Sequence, residues 1–479
     1  MKKSILKLKK LWSSNRCISN CCFDTLIVGG EDTAHGVPPR LVSSPTGKLK
    51  KFWSTNRFML YFSILLFIMQ IPVQITSAQT LKLPDILDSI QHSYPSLKMY
   101  DAEVQSLDAE AAGARNWAPP QVSAGFWMTP YNTSLWNGMK ANGNMPAQGG
   151  MGSFMVGVEQ MFPNKKYNDA NEDYMKAMSS VTKENKKATL NNLFAAAKKN
   201  YYEWVIIEKK LSILDESEKL LHFMITNAET RYKNGLGKIS AYYKAKASLG
   251  SIESMQVELE NEILQKRIAL NTLMNRDKLK DFSVDTSYVT KDYSSITFDS
   301  TLFYNNRSDI KAIDKNIQLA FLKQDIEKQS MKPQFGIQYS NMFGYGNAPM
   351  MFNLMGTVKV PMNWSTRANK ANIESLNFKT QSLEEQKAAM ANEYSGMAYQ
   401  IQQDITAKKK QVQLFENNII PALQKNYEST QLGYQQNTEE LFELYDAWET
   451  LNKTQLDYIN QLQQLLSMQV ELEKLLEIK

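Results

Sequence analysis

The chain has 479 residues, a net charge of +6, 22% charged and 43% hydrophobic residues, and only 21 Gly and 15 Pro. Such a helix-rich composition is too polar for a bundle of transmembrane helices and too apolar for disorder. Residues 1–78 carry 11 Lys+Arg against 3 Asp+Glu, leaving 44 basic and 46 acidic residues in the remainder, which excludes a basic nucleic-acid-binding body. All three cysteines (Cys17, Cys21, Cys22) lie in that leader, and only His92 and His222 fall beyond residue 78. A Cys/His zinc site, a thiol nucleophile and a structural disulfide are therefore excluded from the main body, and no nucleophile–base set is available for catalysis.

The first element is expected to be a signal peptide, with an anchor helix that stays attached as the alternative. Phe58–Ile71 is an apolar run of h-region length, short for a membrane span, behind Lys48, Lys50, Lys51 and Arg57. Thr76-Ser77-Ala78 supplies the small residues before a cut, so cleavage is expected after Ala78, with Gln79 as the mature N-terminus. Further upstream, KLKKLWSSNR (7–16) nearly repeats as KLKKFWSTNR (48–57). Residues 1–47 show neither helical nor strand periodicity and are read as an upstream duplication or misplaced start.

A helix is expected ahead of the first strand pair, and the pattern then changes. Gln121–Tyr131 and Met151–Phe162 read as strands joined by a long Gly/Asn loop, with an exit through Pro163. Residues 164–234 contain neither Gly nor Pro; as helix they would reach roughly 105 Å. Leu249, Ile252, Leu259, Ile263, Leu270 and Leu273 follow a heptad on the next helix. A second strand pair, Gln334–Phe343 and Phe352–Met362, has a short loop, Gly344–Pro349, and leaves through Pro361. Each strand has about the ~9–11 residues of a tilted membrane strand, with the weak alternation usual for barrels. The last segment, 434–479, again lacks Gly and Pro and carries a heptad through Leu441, Leu444, Trp448, Leu451, Tyr458, Leu462 and Leu465. Coiled-coil packing is the expectation for all these helices.

The chain also repeats itself. PSLKMYDAEVQSLDAEAAGARNWAPPQ (95–121) parallels SDIKAIDKNIQLAFLKQDIEKQSMKPQ (308–334), and RYKNGLGKISAYYKAKASL (231–249) parallels GYQQNTEELFELYDAWETL (433–451). Two matched landmarks in the same order predict an internal duplication, 79–305 and 306–479. Each half reads helix, strand, strand, helix, helix.

On the duplicated order, the prolines at the sheet exits and the motifs RYKNGLG and GYQQNTEELFELYDA, the sequence resembles the TolC-type outer-membrane factors over most of 80–479. The resemblance implies a mainly α fold with a β-barrel part: four strands per subunit completing a twelve-stranded barrel in a homotrimer, with the helices as a periplasmic tunnel. The implied role is the exit duct of a tripartite efflux pump or type I secretion system, without cofactor or catalysis. Implied partners are a periplasmic adaptor, an inner-membrane transporter and outer-membrane lipid. Independently, four strands cannot close a barrel, and open edges in lipid leave backbone groups unsatisfied. The competing class is a periplasmic coiled-coil adaptor or scaffold without a pore; the pair of hairpins discriminates.

Carried onto this chain, the two acids that narrow the family's periplasmic aperture fall on Glu443 and Asp446, three apart and so on one helix face. A solvated coiled-coil face is the bland alternative. Adaptor contact is expected at the helix turns: Gly235, Gly237 and Lys238 in the first, Asn437, Thr438 and Glu439 in the second. The chain departs from the family at the second turn. Asn437 replaces a glycine and Glu439 stands where a latching basic residue is common, although Tyr434 is retained. Half of the 24 methionines lie in the hairpins: Met128, Met139, Met145, Met151, Met155 and Met161, then Met331, Met342, Met350, Met351, Met355 and Met362. Thioether sulfur suits Cu(I), with Met139, Met145, Met350 and Met351 the residues most open to that role. The favoured expectation is apolar filler for lipid-facing or loosely packed strands.

Overall fold

The computed structural model describes residues 80–478 other than 141, 142, 144–147, 236 and 294. The leader, with Ala78 and Gln79, lies outside the described residues. In chain order the elements are β1 (Thr80–Leu81), α1 (Leu83–Ser93), α2 (Pro95–Ala112), β2 (Gln121–Trp127), a 3₁₀ turn (Thr133–Asn137) and β3 (Ser153–Phe162). Then follow α3 (Lys165–Lys233), α4 (Ile239–Leu273), β4 (Ser283–Val284), α5 (Ser300–Asn306) and α6 (Ser308–Ser330). The chain ends with β5 (Gln334–Gly344), β6 (Met351–Lys359), α7 (Arg367–Leu414), a π turn (Phe415–Ile419), α8 (Ile420–Gln435) and α9 (Leu441–Leu476). The fold is mainly helical with one principal sheet. Among the described residues no helix is long and apolar enough to cross a membrane.

The breaker-free run becomes α3, a single helix of 69 residues. Pro163 cannot extend the preceding strand's ladder, and Asn164 caps the helix, its Oδ1 accepting from Lys166 N at 3.0 Å. Its counterpart runs from Arg367 to Gln435 and is interrupted. Pro421 lacks an N–H and its ring crowds the carbonyl four residues back, so the ladder slips into the π turn just before it and the rod continues as α8. The final segment is likewise two helices, because the chain turns between Gln435 and Leu441.

The heptads are realised as packing. Ile207, Leu214 and Leu221 of α3, seven apart, are buried with Ala245, Ile252 and Leu259 of α4, also seven apart. Ala391, Ala398, Ile405 and Val412 of α7 do the same with Leu465 and Leu472 of α9. A strict seven-residue spacing keeps one seam facing the partner along the whole rod. Each large aliphatic side chain buried this way is worth about 1.5–3 kcal/mol.

Midway along the rods, residues outside the repeat motifs add a layer absent from the sequence reading. β1 pairs in parallel with β4, and Ile86, Ile90, Trp204, Leu270 and Phe282 form a core beneath them. Tyr293, Phe298 and Phe303 cover α7 and the end of α9.

The four long strands form one antiparallel sheet in the order β2-β3-β5-β6. The strands end close to where expected: β2 stops at Trp127, where Met128 takes a left-handed φ of 49°, and β6 stops at Lys359. The two hairpin loops are tied by Trp136, which stacks on Tyr345 with ring centroids 5.0 Å apart.

Candidate functional site: a two-faced sheet and a pair of helix turns

The uninterrupted ladder registers fix which side chains share a face of the sheet. One row runs Phe126, Phe154, Phe343; the next but one runs Val122, Val158, Tyr339, Leu354; below it Phe335 opposes Val358. All of these are exposed large hydrophobic side chains, and Ile337 and Phe352 join them on the same face. The result is a predominantly apolar surface. The opposite face carries Ser123, Gln338, Ser340, Asn353 and Thr357 with glycines between. This side is crowded: a Cβ on Gly157 would lie 2.9 Å from Ser123 Oγ and 3.3 Å from Ser340 Cβ, as on the inside of a curved wall. Met155, Met161, Met342, Met351 and Met355 belong to this polar face. The strand methionines thus stand on the face opposite the large exposed apolar side chains. Their position also explains the weak alternation in the sequence, since methionine counts as apolar while Gln160 and Asn341 interrupt the apolar face. Met139 and Met350 are exposed in the hairpin loops, and Met145 lies outside the described residues. The outer edges of β2 and β6 have no partner strand among the described residues.

At the other end the two turns come together. In the first, α3 ends at Lys233, Gly235 takes φ 71° and α4 begins at Ile239; in the second, α8 ends at Gln435, Asn437 takes φ 57° and α9 begins at Leu441. The left-handed position is the same in both. Asn is among the few side-chain-bearing residues that adopt it readily, so the replacement of glycine keeps the turn. Thr438 closes the second turn, donating from both N and Oγ1 to the Gly433 carbonyl at 2.9 and 3.0 Å. Gly433 is needed there because a Cβ would meet the Glu439 side chain at 2.5 Å.

Between the turns lies an open groove lined by Arg231, Gly237, Lys238, Asn437, Glu439 and Phe442. Arg231 bridges it, donating from Nη1 to Asn437 Oδ1 at 3.1 Å with its guanidinium 5.2 Å from the centre of the buried Tyr434 ring. Sequence reasoning missed this contact. The offset between the two repeat motifs was the available signal, for it sets Arg231 against Gly433, the residue whose carbonyl closes the second turn. One turn further, the Lys244 ammonium lies over Phe442 and Tyr445, 4.4 and 4.1 Å from the ring centres. Burial pushes the Tyr445 hydroxyl up from its ordinary pKa.

Glu443 and Asp446 are both exposed on α9, while Leu444, Tyr445, Ala447 and Trp448 between and beyond them are buried. Neither acid makes an ion pair among the described residues.

A third polar cluster, unread in the sequence, holds the middle of the rods. The buried Lys198 and Glu473 meet at 2.5 Å, and Lys291 Nζ and Tyr293 Oη donate to the other carboxylate oxygen at 2.6 and 2.8 Å. Burial alone would raise the Glu473 pKa, but hydrogen bonds from Lys198 and Lys291 outweigh it and hold the carboxyl below its usual range. A neighbouring acid, Glu477, accepts from Ser308 N and Oγ at the start of α6. The end of α9 thus fastens α3, α6 and the layer between them.

With this geometry in hand, comparison with known proteins gives a consistent picture. The model of the outer membrane efflux protein family matches residues 86–276. Among solved structures the chain is similar to the outer membrane protein VceC of Vibrio cholerae, at 15% identity over 82% of this chain and 95% of that one, TM-score 0.64. It is also similar to the outer membrane channel CmeC of Campylobacter jejuni, at 12% identity over 82% and 85%, TM-score 0.62. The open state of the MtrE outer membrane channel of Neisseria gonorrhoeae matches at 15% identity over 82% and 88%, TM-score 0.59. At such identities these structures share the fold. No curated protein matches the chain in sequence.

Proposed function

We propose that the chain, whose residues 86–276 match the outer membrane efflux protein family, lies in the outer membrane with its helices extending into the periplasm, and that three copies close a channel there. The observation that carries this reading is the sheet: one face predominantly apolar, the other mainly polar, both edges open among the described residues. In a bilayer an unpaired edge leaves backbone N–H and C=O groups unsatisfied at several kcal/mol each, so the edges must be completed by other subunits. Twelve strands from three copies would set the apolar face against lipid and the polar face around a lumen. That two hairpins pair into a single sheet, rather than enclosing a core of their own, argues against a pore-less adaptor.

The helices would continue the lumen as a periplasmic tunnel built from two equivalent halves, 79–305 and 306–479. The 69-residue length of α3 recurs from Arg367 to Gln435, which supports that equivalence. At the far end the groove between the turns, with Gly235, Gly237, Lys238, Asn437, Thr438 and Glu439, is the docking place we assign to a periplasmic adaptor. Through it an inner-membrane transporter would supply the energy, and the channel itself performs no chemistry. The chain would serve as the exit duct of a tripartite efflux pump or a type I secretion system. Glu443 and Asp446, one turn inside the tip, would narrow the aperture, where six carboxylates of a trimer favour cations over anions. Leader cleavage after Ala78 completes the proposal, and N-terminal sequencing of membrane-extracted protein should begin at Gln79.

Mass measurement in mild detergent, followed by single-channel recording of the same sample, tests the central reading. Three copies and a discrete conductance are expected. A stable monomer that stays in water without detergent would overturn it.

A further inference from the structure

The registers bring three methionines into a single cross-strand row. Met155 of β3 lies directly opposite Met342 of β5, and Met342 lies directly opposite Met351 of β6. Directly opposed residues have Cβ atoms about 4.5–5.5 Å apart, within the reach of flexible thioethers. All three project from the polar face, where filling an apolar core is not their task. Their same-face neighbours two residues along the strands are Ser153, Gly157, Ser340, Gly344 and Asn353, small or neutral, so no carboxylate crowds the row. Sulfur ligands without hard oxygen anions beside them select soft cations such as Cu(I) and Ag(I) over Mg²⁺, Ca²⁺ or Zn²⁺.

We propose that Met155, Met342 and Met351 form a thioether site for a soft monovalent cation of the Cu(I)/Ag(I) class. The row lies near the hairpin-loop ends of the strands, away from the helix exits at Pro163 and Pro361. The site needs only the observed register. Its position at the outer mouth of a lumen, repeated three times, rests on the channel reading above.

Silver(I) is the probe, since it binds thioethers without redox chemistry. The full-length protein in detergent is titrated with silver nitrate in chloride-free buffer and followed by calorimetry and X-ray absorption. Saturable binding with a sulfur shell around silver is expected. Met342→Leu, at the centre of the row, should weaken it at least tenfold, and Met139→Leu with Met350→Leu should leave it unchanged. A second measurement needs no variant: bound silver should slow peroxide oxidation of Met155, Met342 and Met351 at least fivefold relative to Met139 and Met350, read by peptide mass spectrometry. Absent binding, equal binding by Met342→Leu, or uniform oxidation would overturn the site. Detergent mass and conductance of the same sample report separately on the channel, so a trimer that conducts but ignores silver refutes the metal site alone.

Discussion

The sheet and the helical rods are built from one chain on opposite plans. Among the described residues, no buried hydrophobic side chain comes from β2, β3, β5 or β6, whereas α3 and α9 alone bury Ile206, Leu214, Leu221, Leu444, Leu465 and Leu472. The rods hold their apolar stripes against each other through heptads and need nothing from outside for that core. The sheet's large apolar residues, by contrast, are exposed, with no protein covering them among the described residues. Stability in the rods is therefore intrinsic, and in the sheet, on the proposed channel reading, it would come from lipid and neighbouring subunits.

The comparison can be broken most severely in the middle of the rods. Glu473→Ala leaves Lys198 buried without its counter-charge, and the cost of removing one partner of a buried pair is about 3–5 kcal/mol. Denaturant unfolding followed by helical circular dichroism should show that loss, with channel conductance unaltered in the molecules that still fold. The same carboxyl gives a pH dependence. Its folded pKa is depressed, so its contribution is complete above the unfolded value and is lost as pH falls through the folded one. Acid unfolding of wild type should steepen below the usual carboxylate range, and Glu473→Gln should flatten that limb.

In the sheet the sensitive property is assembly. Ile337→Arg places a charge on the apolar face, where mid-membrane arginine costs about 2–4 kcal/mol, while Gln338→Arg, one residue on and on the opposite face, should cost close to nothing. Trimer recovery in mild detergent distinguishes the two. Equal loss from both substitutions would remove the distinction between the faces. Helical melting should be the same in both variants, because the rods do not lean on the sheet.

Smaller effects sharpen the comparison at the tip. Asn437→Gly should be neutral within a few tenths of a kcal/mol, and Asn437→Val should cost about 1–3 kcal/mol, since a β-branched residue resists the left-handed φ of 57°. Thermal melting measures this. Glu443→Gln with Asp446→Asn should change stability by no more than about 0.5 kcal/mol, both being solvated. Cation selectivity and block by multivalent cations should nevertheless weaken in single-channel recording, with Glu471→Gln, exposed further along α9, as the control. Unchanged currents in the double variant would make the two acids an ordinary solvated face.

Much of this architecture was legible before any coordinates. The absence of Gly and Pro over 164–234 predicts α3, the spacing of Leu441, Leu444, Trp448 and Leu451 predicts the seam of α9, and the matched motifs predict where both turns fall. Each is a local signal, because helix continuity, heptad period and turn chemistry depend on residues a few positions apart. Long-range partnerships had no such signal. Lys198 and Glu473 are 275 positions apart, Arg231 and Asn437 are 206 apart, and only folding makes them neighbours. The methionine row is the sharpest case. Composition singles out Met155, Met342 and Met351 as apolar residues of the hairpins, but a strand's register decides their face, and a slip of one residue would turn each to the other side. That register is set by pairing between β3, β5 and β6, with 171 residues of helix and loop between β3 and β5. Sequence alone determined the rods, the strands and the turns; which side chains share a face of the sheet, and which residues meet across the chain, only the tertiary structure decided, because strand register and long-range contacts leave no local signal.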